Sequence, residues 1–421
     1  MAMNRRQFLG TTGLTLSAAA LGAPYVSTGR TQAAPIRIGL LAPLTGVAAS
    51  GGREMVEGTQ FWFEQVKNEI SGRKVELLVE DDASNPDVSL QKARRLVEQA
   101  NVHMLMGNLL ANTGLAVANY VKGKGTPYFI PIIAADDLTQ RDRIRNVIRV
   151  AGYSASAFSH PFGDWAFKTG YRKVATISQD YSFGHEQCGG FAQVFTESGG
   201  QIVAQLWHPL NTSDFSPYLG QLADLKVDAV FAMENGADAT RLLQQFASFG
   251  LKGRIPMIGA MNLTDQAVIR TLGSEPEGVV SAAHFAEGAD NPATQKFVKD
   301  YAAKYDKIPS LFGFSMYSGS MWVSRAIEKI GGKVEDRDAL IDAVLKTDLP
   351  DSPLGKTVRL DAYGNPIYDV YIRKVVRRAD GKYWNVPTEV YPSVSQFWKY
   401  DPETYLKQPP YSRSFQGIKR G

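Results

Sequence analysis

The sequence predicts an α/β fold built from two doubly wound lobes, each a mainly parallel sheet with helices on both faces. Short apolar runs alternate with amphipathic stretches from Ile36 onward, which is the rhythm of β-α-β units. This rhythm restarts after Gly152. The chain has 421 residues, enough for two or three domains of ordinary size.

The elements follow from the periodicity of the apolar positions. In the first unit, strands are predicted at 36–41, 74–80, 103–107 and 127–132, and helices at 54–70, 88–99 and 113–122. In the second, helices are predicted at 157–169, 186–198, 218–225 and 237–249, and strands at 173–178, 201–207, 229–233 and 256–259. A third part, 279–345, is predicted to add one strand and two helices, and two further strands follow at 357–360 and 369–377.

The N-terminus has the composition of an export signal. Arg5 and Arg6 precede Phe8 and Leu9, and a weakly apolar run is followed by small residues as far as Ala33. The paired arginines are typical of a twin-arginine signal. We therefore expect residues 1–34 to be cleaved and the mature protein to be soluble in the periplasm.

Composition and motifs argue against several function classes. The net charge is +4 without a basic stripe, so no nucleic-acid partner is expected. A single cysteine, Cys188, and five scattered histidines predict no disulfide, metal or cofactor site. No phosphate-binding loop, nucleophile elbow or zinc-protease motif occurs, so we expect no enzyme and no catalytic residue.

Four short motifs occur in the order and context of one known family. They are Ile38–Gly46, Glu80–Pro86, Asp180–Gly184, and the turn from Asp361 to Gly364. They resemble the type I periplasmic binding proteins, in the group of branched-chain amino-acid receptors of ABC transporters. The resemblance extends from Ile36 to about Arg377.

This resemblance implies a domain organisation. Lobe 1 would comprise residues 35–152 and 280–358, and lobe 2 would comprise 153–279 and 359–390, with 391–421 as a C-terminal extension. Three crossover strands would join the lobes, and a small molecule would bind in the cleft between them. Hinge closure would follow, and the closed form, a monomer, would dock transiently on an ABC permease in the inner membrane.

The carboxyl ends of the strands in an open α/β sheet mark the same region for ligand binding. In the receptors that the chain resembles, a serine and a threonine help to hold the ligand carboxylate, and an acid holds its ammonium. The matching positions here carry Ala111, Ala134 and Met261, and a tyrosine position carries Asn235. The candidate ligand-binding residues are Ser50, Arg53, Asn112, Thr113, Ile133, Ala134, Tyr181, Phe183, Asn235 and Met261.

The missing acid suggests a ligand without an α-amino group, because a buried ammonium needs a charged partner. Tyr181 and Phe183 would supply aromatic walls, and Arg53 would clamp a carboxylate. We therefore expect a small carboxylate with an apolar or aromatic body. A branched-chain amino acid is the alternative, since a shift of one residue would bring in Glu234 or Asp238. A sensory ligand-binding subunit is a further alternative.

Overall fold

The computed structural model describes residues 33–418. Apart from Ala33 and Ala34, the predicted signal peptide lies outside these residues and stays a prediction. Among the described residues, no helix has the length and apolar composition needed to cross a membrane.

Two sheets organise the described chain. The first has the order β2-β3-β1-β4-β5-β6 and is parallel except for the β2–β3 pair. Its strands are β1 (Ile36–Ala42), β2 (Glu69–Ile70), β3 (Arg73–Asp81), β4 (Met104–Gly107), β5 (Tyr128–Phe129) and β6 (Val147–Ile148). The central strands β1 and β4 are buried and apolar, as is usual for parallel strands covered on both faces.

The second sheet is mixed, with the order β12-β13-β11-β10-β9-β7-β8, and β14 pairs with β13. Its strands are β7 (Lys173–Gln179), β8 (Gln201–His208), β9 (Ala229–Met233), β10 (Met257–Ala260), β11 (Val280–Ala283), β12 (Arg359–Leu360), β13 (Pro366–Arg377) and β14 (Tyr383–Val394). Strands β7 to β11 are parallel, whereas β13 runs antiparallel to β11.

Helices connect and cover the strands. They are α1 (Ala49–Gln65), α2 (Pro86–Arg94), α3 (Ala111–Lys122), α4 (Ala155–Lys168), α5 (Ser182–Glu197), α6 (Ser216–Asp224), α7 (Gly236–Ser248), α8 (Gln266–Ile269), α9 (Pro292–Tyr305), α10 (Leu311–Lys329), α11 (Arg337–Leu345) and α12 (Pro402–Leu406). Helices α1 to α3 and α9 to α11 belong to lobe 1, and α4 to α8 belong to lobe 2. The predicted α/β architecture of two lobes is therefore confirmed.

Three details differ from the sequence prediction. Val280–Ala283, assigned to lobe 1, extends the lobe 2 sheet beside β10, because a short apolar strand carries no signal for which sheet it joins. The part from 279 to 345 contains three helices, since Asp306 adopts a left-handed conformation that ends α9 before α10 begins. The extension starts after Val394, because β14 pairs with β13 along its length.

The chain passes between the lobes three times, at 149–154, 284–291 and 346–358. The second passage leads to α9 and α10, which return to lobe 1 and pack α10 against α1. That packing is close: a Cβ on Gly58 of α1 would lie 2.1 Å from the carbonyl oxygen of Gly313. The N-cap Ser310 accepts a hydrogen bond from Gly313 N at 3.1 Å, which fixes the start of α10 beside the cleft.

Candidate functional site: a cavity between the lobes

A small enclosed cavity lies where the carboxyl ends of strands from both sheets meet. The space that a water-sized sphere can enter is about 10 Å³. The lining residues are Leu109, Ala111, Ile132, Ala134, Tyr153, Tyr181, Phe183, Asn235, Asn262 and Phe312. Such a space holds about one water molecule, so the lining side chains are packed together in this form and a ligand would have to separate them to bind. Larger surface grooves, of about 460 to 660 Å³, lie elsewhere in the described chain and are more open to solvent.

The lobe 1 face of the cavity is apolar. Ala111 is the first residue of α3, and Phe312 lies in the first turn of α10. The remaining lobe 1 residues follow β4 and β5, namely Leu109, Ile132 and Ala134. None of these side chains carries a hydrogen-bonding group, so lobe 1 contributes shape and apolar contact.

The lobe 2 face is aromatic and polar. Tyr181 is the N-cap of α5, and Asn235 is the N-cap of α7. Asn235 Nδ2 donates a hydrogen bond to Tyr181 Oη at 2.6 Å. Asn235 Oδ1 is buried without a partner in the described chain. The pair therefore offers a ligand one acceptor, Asn235 Oδ1, and one donor, the Tyr181 hydroxyl.

A second pair of the same kind lies at the hinge. Tyr153 lies in the first passage between the lobes, and the Asn262 side chain hydrogen-bonds with it. Asn262 Oδ1 is also buried without a partner in the described chain. Burial raises the pKa of Tyr153 and of Tyr181 well above the ordinary value for tyrosine. Both hydroxyls therefore stay protonated at neutral pH and remain hydrogen-bond donors.

The electrostatics of the cavity favour a negatively charged group. Helices α3, α5 and α7 all begin at its wall, and none of the three has a side-chain hydrogen bond from its N-cap residue. The positive ends of their dipoles favour an anion. Among the described residues that line the cavity, none is Asp, Glu, Lys, Arg or His. Dipoles, hydroxyls and amides therefore supply its polarity.

Two buried arginines support the lining segments from behind, and the sequence analysis missed both. Arg149 donates to the carbonyl oxygens of Ile133 at 3.2 Å and Ala135 at 2.6 Å. Arg373 donates to the carbonyl oxygen of Met261 at 2.8 Å. Burial lowers the pKa of Arg149 to about 10, so it remains charged at neutral pH. The only sequence signal was an arginine within or directly after a short apolar run.

Four of the ten candidate residues line the cavity: Ala134, Tyr181, Phe183 and Asn235. Met261 and Ile133 lie beside it. The Met261 carbonyl is held by Arg373, and the Ile133 side chain faces Gly114 of α3, where a Cβ would lie 2.6 Å from Ile133 Cδ1.

The other four candidates have local roles or lie elsewhere. Thr113 Oγ1 donates to the Leu110 carbonyl oxygen at 2.8 Å, and Asn112 Oδ1 accepts from Thr113 N at 3.0 Å. Ser50 and Arg53 lie on α1 outside the lining, and Arg53 is exposed. The predicted Arg53 clamp is therefore corrected: its neighbours Glu54 and Met55 occupy the buried face of α1, which turns Arg53 towards solvent.

The lobes are closed on each other. Val47 O of lobe 1 accepts a hydrogen bond from Ala237 N of α7 at 3.1 Å. Asp265 Oδ2 of lobe 2 accepts from Leu311 N at the start of α10 at 2.7 Å. Arg270 of lobe 2 pairs with Glu54 of α1. The lining therefore exists as one surface only in this closed arrangement.

The acids considered for an ammonium group lie outside the lining. Glu234 Oε1 pairs with His208 Nε2 at 2.8 Å, and both side chains are fully buried. Asp238 Oδ2 accepts from Gln179 Nε2 at 2.6 Å. Potential ligand atoms of His208, Glu234 and Asp238 lie within 4.8 Å of one another, as at a metal site. In this structure, however, protein hydrogen bonds already engage all three residues.

Comparison with known proteins places this fold and cavity in a family. A family model described as periplasmic binding protein matches residues 35–382. The chain belongs to the periplasmic binding protein family. This confirms the resemblance in the sequence motifs, and it gives the protein the fold and family of ABC transporter solute-binding proteins.

Named relatives and solved structures are similar to this periplasmic binding protein over most of its length. A Leu/Ile/Val-binding protein homolog 6 of Brucella melitensis is 27% identical, over 83% of this chain and 90% of its own. An ABC transporter solute-binding protein of Rhodopseudomonas palustris BisB5, solved with 3,4-dihydroxybenzoic acid, is 28% identical, with a TM-score of 0.81 over 86% of this chain and 98% of that one. Another, from R. palustris with benzoate, is 25% identical, with a TM-score of 0.80 over 86% and 97%.

Proposed function

We propose that this protein captures a small hydroxylated aromatic carboxylate for an ABC uptake system. The observation that carries the proposal is the enclosed cavity, which has aromatic walls and unpartnered amide oxygens and no carboxylate among its described lining residues. The R. palustris proteins solved with benzoate and with 3,4-dihydroxybenzoic acid support it.

An α-amino acid fits this lining less well. Its ammonium group would leave water without a charged partner, which is unfavourable in a closed cavity. A carboxylate can instead accept hydrogen bonds from the Tyr153 and Tyr181 hydroxyls near the helix N-termini. The ring of an aromatic acid would contact Phe183 and Phe312.

A hydroxyl group on the ligand would supply a hydrogen-bond donor that the lining lacks. Asn235 Oδ1 and Asn262 Oδ1 are acceptors without donors in the described chain. A buried polar atom left unpaired costs about 1–3 kcal/mol. A hydroxybenzoate brings a donor for one of these oxygens, whereas benzoate brings none.

A branched-chain amino acid is the second candidate. The Brucella relatives named as Leu/Ile/Val-binding protein homologs favour it. So does Glu234, whose Oε2 is buried without a partner directly before Asn235. A rearranged Glu234 side chain would then hold the ammonium group.

Export, docking on a permease and the absence of turnover are part of the same proposal. Export through the predicted signal would deliver a soluble periplasmic monomer, and its closed form would dock on an inner-membrane permease. The protein would release its ligand unchanged and would therefore not be an enzyme. A sensory role for the same closure stays an alternative.

Calorimetric titration of residues 35–421 tests the ligand class. We expect 4-hydroxybenzoate and 3,4-dihydroxybenzoate to bind most tightly and benzoate to bind roughly ten-fold more weakly, because one hydrogen bond is lost. Methyl 4-hydroxybenzoate, which lacks the charge, and leucine should not bind. Tight binding of leucine with no binding of aromatic acids would contradict the proposal. Recovery of chemically altered ligand would contradict the absence of turnover.

A further inference from the structure

Residues 395–418, called here the C-terminal strap, follow β14 and contact both lobes. On the lobe 1 side, Arg141 Nε donates to the Gln408 carbonyl oxygen at 2.8 Å. Thr139 Oγ1 donates to Gln396 Oε1 at 2.9 Å, and Gln396 is fully buried. Thr139 and Arg141 lie between β5 and β6, directly after the segment that contributes Ile132 and Ala134 to the cavity.

On the lobe 2 side, Tyr411 of the strap is held by α4 and α5. Its hydroxyl hydrogen-bonds with His160 Nε2 at 2.8 Å and donates to Gln193 Oε1. Its ring lies directly on Gly189 of α5, where a Cβ would be 2.4 Å from Tyr411 Cγ. Helix α5 is therefore shaped at this point to receive the tyrosine ring.

Tyr405 connects these two sets of contacts. Its side chain is 2% exposed, and Arg141 lies 5.5 Å from the centre of its ring. Its hydroxyl donates to the Tyr411 hydroxyl at 3.3 Å. An unbroken series of contacts thus runs from Arg141 of lobe 1 through Tyr405 and Tyr411 to Gly189 of lobe 2.

The same series ends close to the cavity. Arg413 pairs with Asp180 at 3.2 Å, and Asp180 directly precedes Tyr181. Helix α5, on which Tyr411 rests, begins with the lining residue Tyr181 as its N-cap. The strap therefore contacts a lining segment of each lobe, without itself lining the cavity.

We propose that the C-terminal strap is a positioning element that favours lobe closure, with Tyr405 and Tyr411 as its positioning residues. It holds the lobe 1 segment after β5 against α5 of lobe 2, and so raises ligand affinity without touching the ligand. The proposal extends the proposed function, but it depends on closure and not on which carboxylate binds.

The main test combines Gly189→Ala with a chain that ends at Gln408. Alanine favours a helix over glycine, and the three atoms nearest to a Cβ at position 189 all belong to Tyr411, so the substitution should act by displacing that side chain. We expect the truncation and Gly189→Ala in the full chain each to raise the Kd for 4-hydroxybenzoate roughly ten-fold. In the truncated chain, Gly189→Ala should leave the Kd unchanged, because the ring is gone. Gly220→Ala, on α6 with no atom within 4 Å, is the matched control.

A second readout separates the strap from the choice of ligand. Spin labels on Gln60→Cys of α1 and Gln244→Cys of α7, both at exposed positions, report lobe separation without ligand, and the native Cys188 is buried. Truncation should shift the distance distribution towards longer values. If no aromatic acid binds the full chain but truncation still opens the lobes, the ligand proposal fails and the strap proposal stands. Unchanged distances and an unchanged Kd, or a loss of thermal stability with the Kd unaltered, would overturn the strap proposal.

Discussion

The two faces of the cavity differ in what they offer a ligand. The lobe 1 face consists of aliphatic side chains and Phe312, and it has no hydrogen-bonding side chain. The lobe 2 face carries Tyr181, Asn235 and Asn262, and two of the three have an unpartnered amide oxygen. Lobe 1 therefore sets the size and shape of the ligand, and lobe 2 sets its polar pattern.

Because the two faces differ in this way, a ligand needs the lobes to close in order to bind tightly. A ligand bound to lobe 2 alone would satisfy its hydrogen bonds but leave its ring in water, and lobe 1 alone would offer only apolar contact. The ligand gains both the hydrogen bonds of lobe 2 and the apolar contact of lobe 1 only when the two faces meet. Affinity and closure are therefore linked, because a ligand shifts a conformational equilibrium by its differential affinity for the two states.

The largest effect is expected from a variant that keeps the two faces apart. Gly236 has φ +56°, and a Cβ there would lie 2.2 Å from Val47 O of lobe 1. Gly236→Ala should therefore block closure and weaken ligand binding about 100-fold, measured by calorimetry. Gly250→Ala is the matched control, because its φ is +74° and no atom lies within 4 Å. Equal affinity in the two variants would mean that ligand binds without the hydrogen bond between Ala237 N and Val47 O.

A smaller effect is expected from removing one hydroxyl of the lobe 2 face. Tyr181→Phe leaves Asn235 Nδ2 buried without its acceptor and removes a donor to the ligand. The loss of about 1–3 kcal/mol corresponds to roughly 10- to 100-fold weaker binding. Tyr128→Phe is the matched control, since the Tyr128 hydroxyl donates to Asn108 Oδ1 at 2.6 Å inside lobe 1, away from the cavity. The control should lower the midpoint of thermal unfolding while leaving the Kd unchanged, and an equal loss of affinity in both variants would contradict this division between the lobes.

The sequence predicted the lobe 2 face of the cavity better than the lobe 1 face. Tyr181, Phe183 and Asn235 follow strands, and strand ends can be located from apolar runs and the rule for open sheets. Ala134 also lies in a loop after a strand, but it was singled out by its match to the receptors that the chain resembles. The lobe 2 face was therefore largely predictable from local pattern.

The remainder depends on contacts that are distant in the sequence. Phe312 reaches the cavity only because the chain returns to lobe 1 after β11 and packs α10 against α1. Tyr153 lies in a passage between lobes, where no strand end marks it. The buried Arg149 and Arg373 support loops on other elements, and an arginine in or directly after a strand predicts a solvent-facing residue unless the opposing layer is known.

The smallest effect concerns a contact between the lobes outside the cavity. Glu186 Oε1 of lobe 2 accepts a hydrogen bond from Asp136 N of lobe 1 at 3.2 Å, and Ser156 N donates to Asp136 Oδ1 at 3.1 Å. Burial raises the pKa of Asp136 to about 6 and that of Glu186 well above its usual range. Arg149 opposes these shifts, and the nearby Asp137 adds to them.

Closure should therefore be coupled to proton uptake, because opening would return both carboxyls towards their ordinary pKa values. Above pH 4 the closed state binds more protons than the open state. The free-energy difference that favours the closed state therefore decreases as pH rises through 6. We expect ligand affinity to drop a few-fold between pH 6 and pH 8. Asp265 adds to the same trend, because it contacts lobe 1 through Leu311 N and burial raises its pKa to about 7.

Glu186→Gln keeps the oxygen that faces Asp136 N and removes one titrating group, so the Kd of this variant should vary less between pH 6 and pH 8. A Kd that does not change with pH in the unmodified protein would show that the two faces meet without taking up a proton, since the tyrosine hydroxyls of the lobe 2 face do not titrate there.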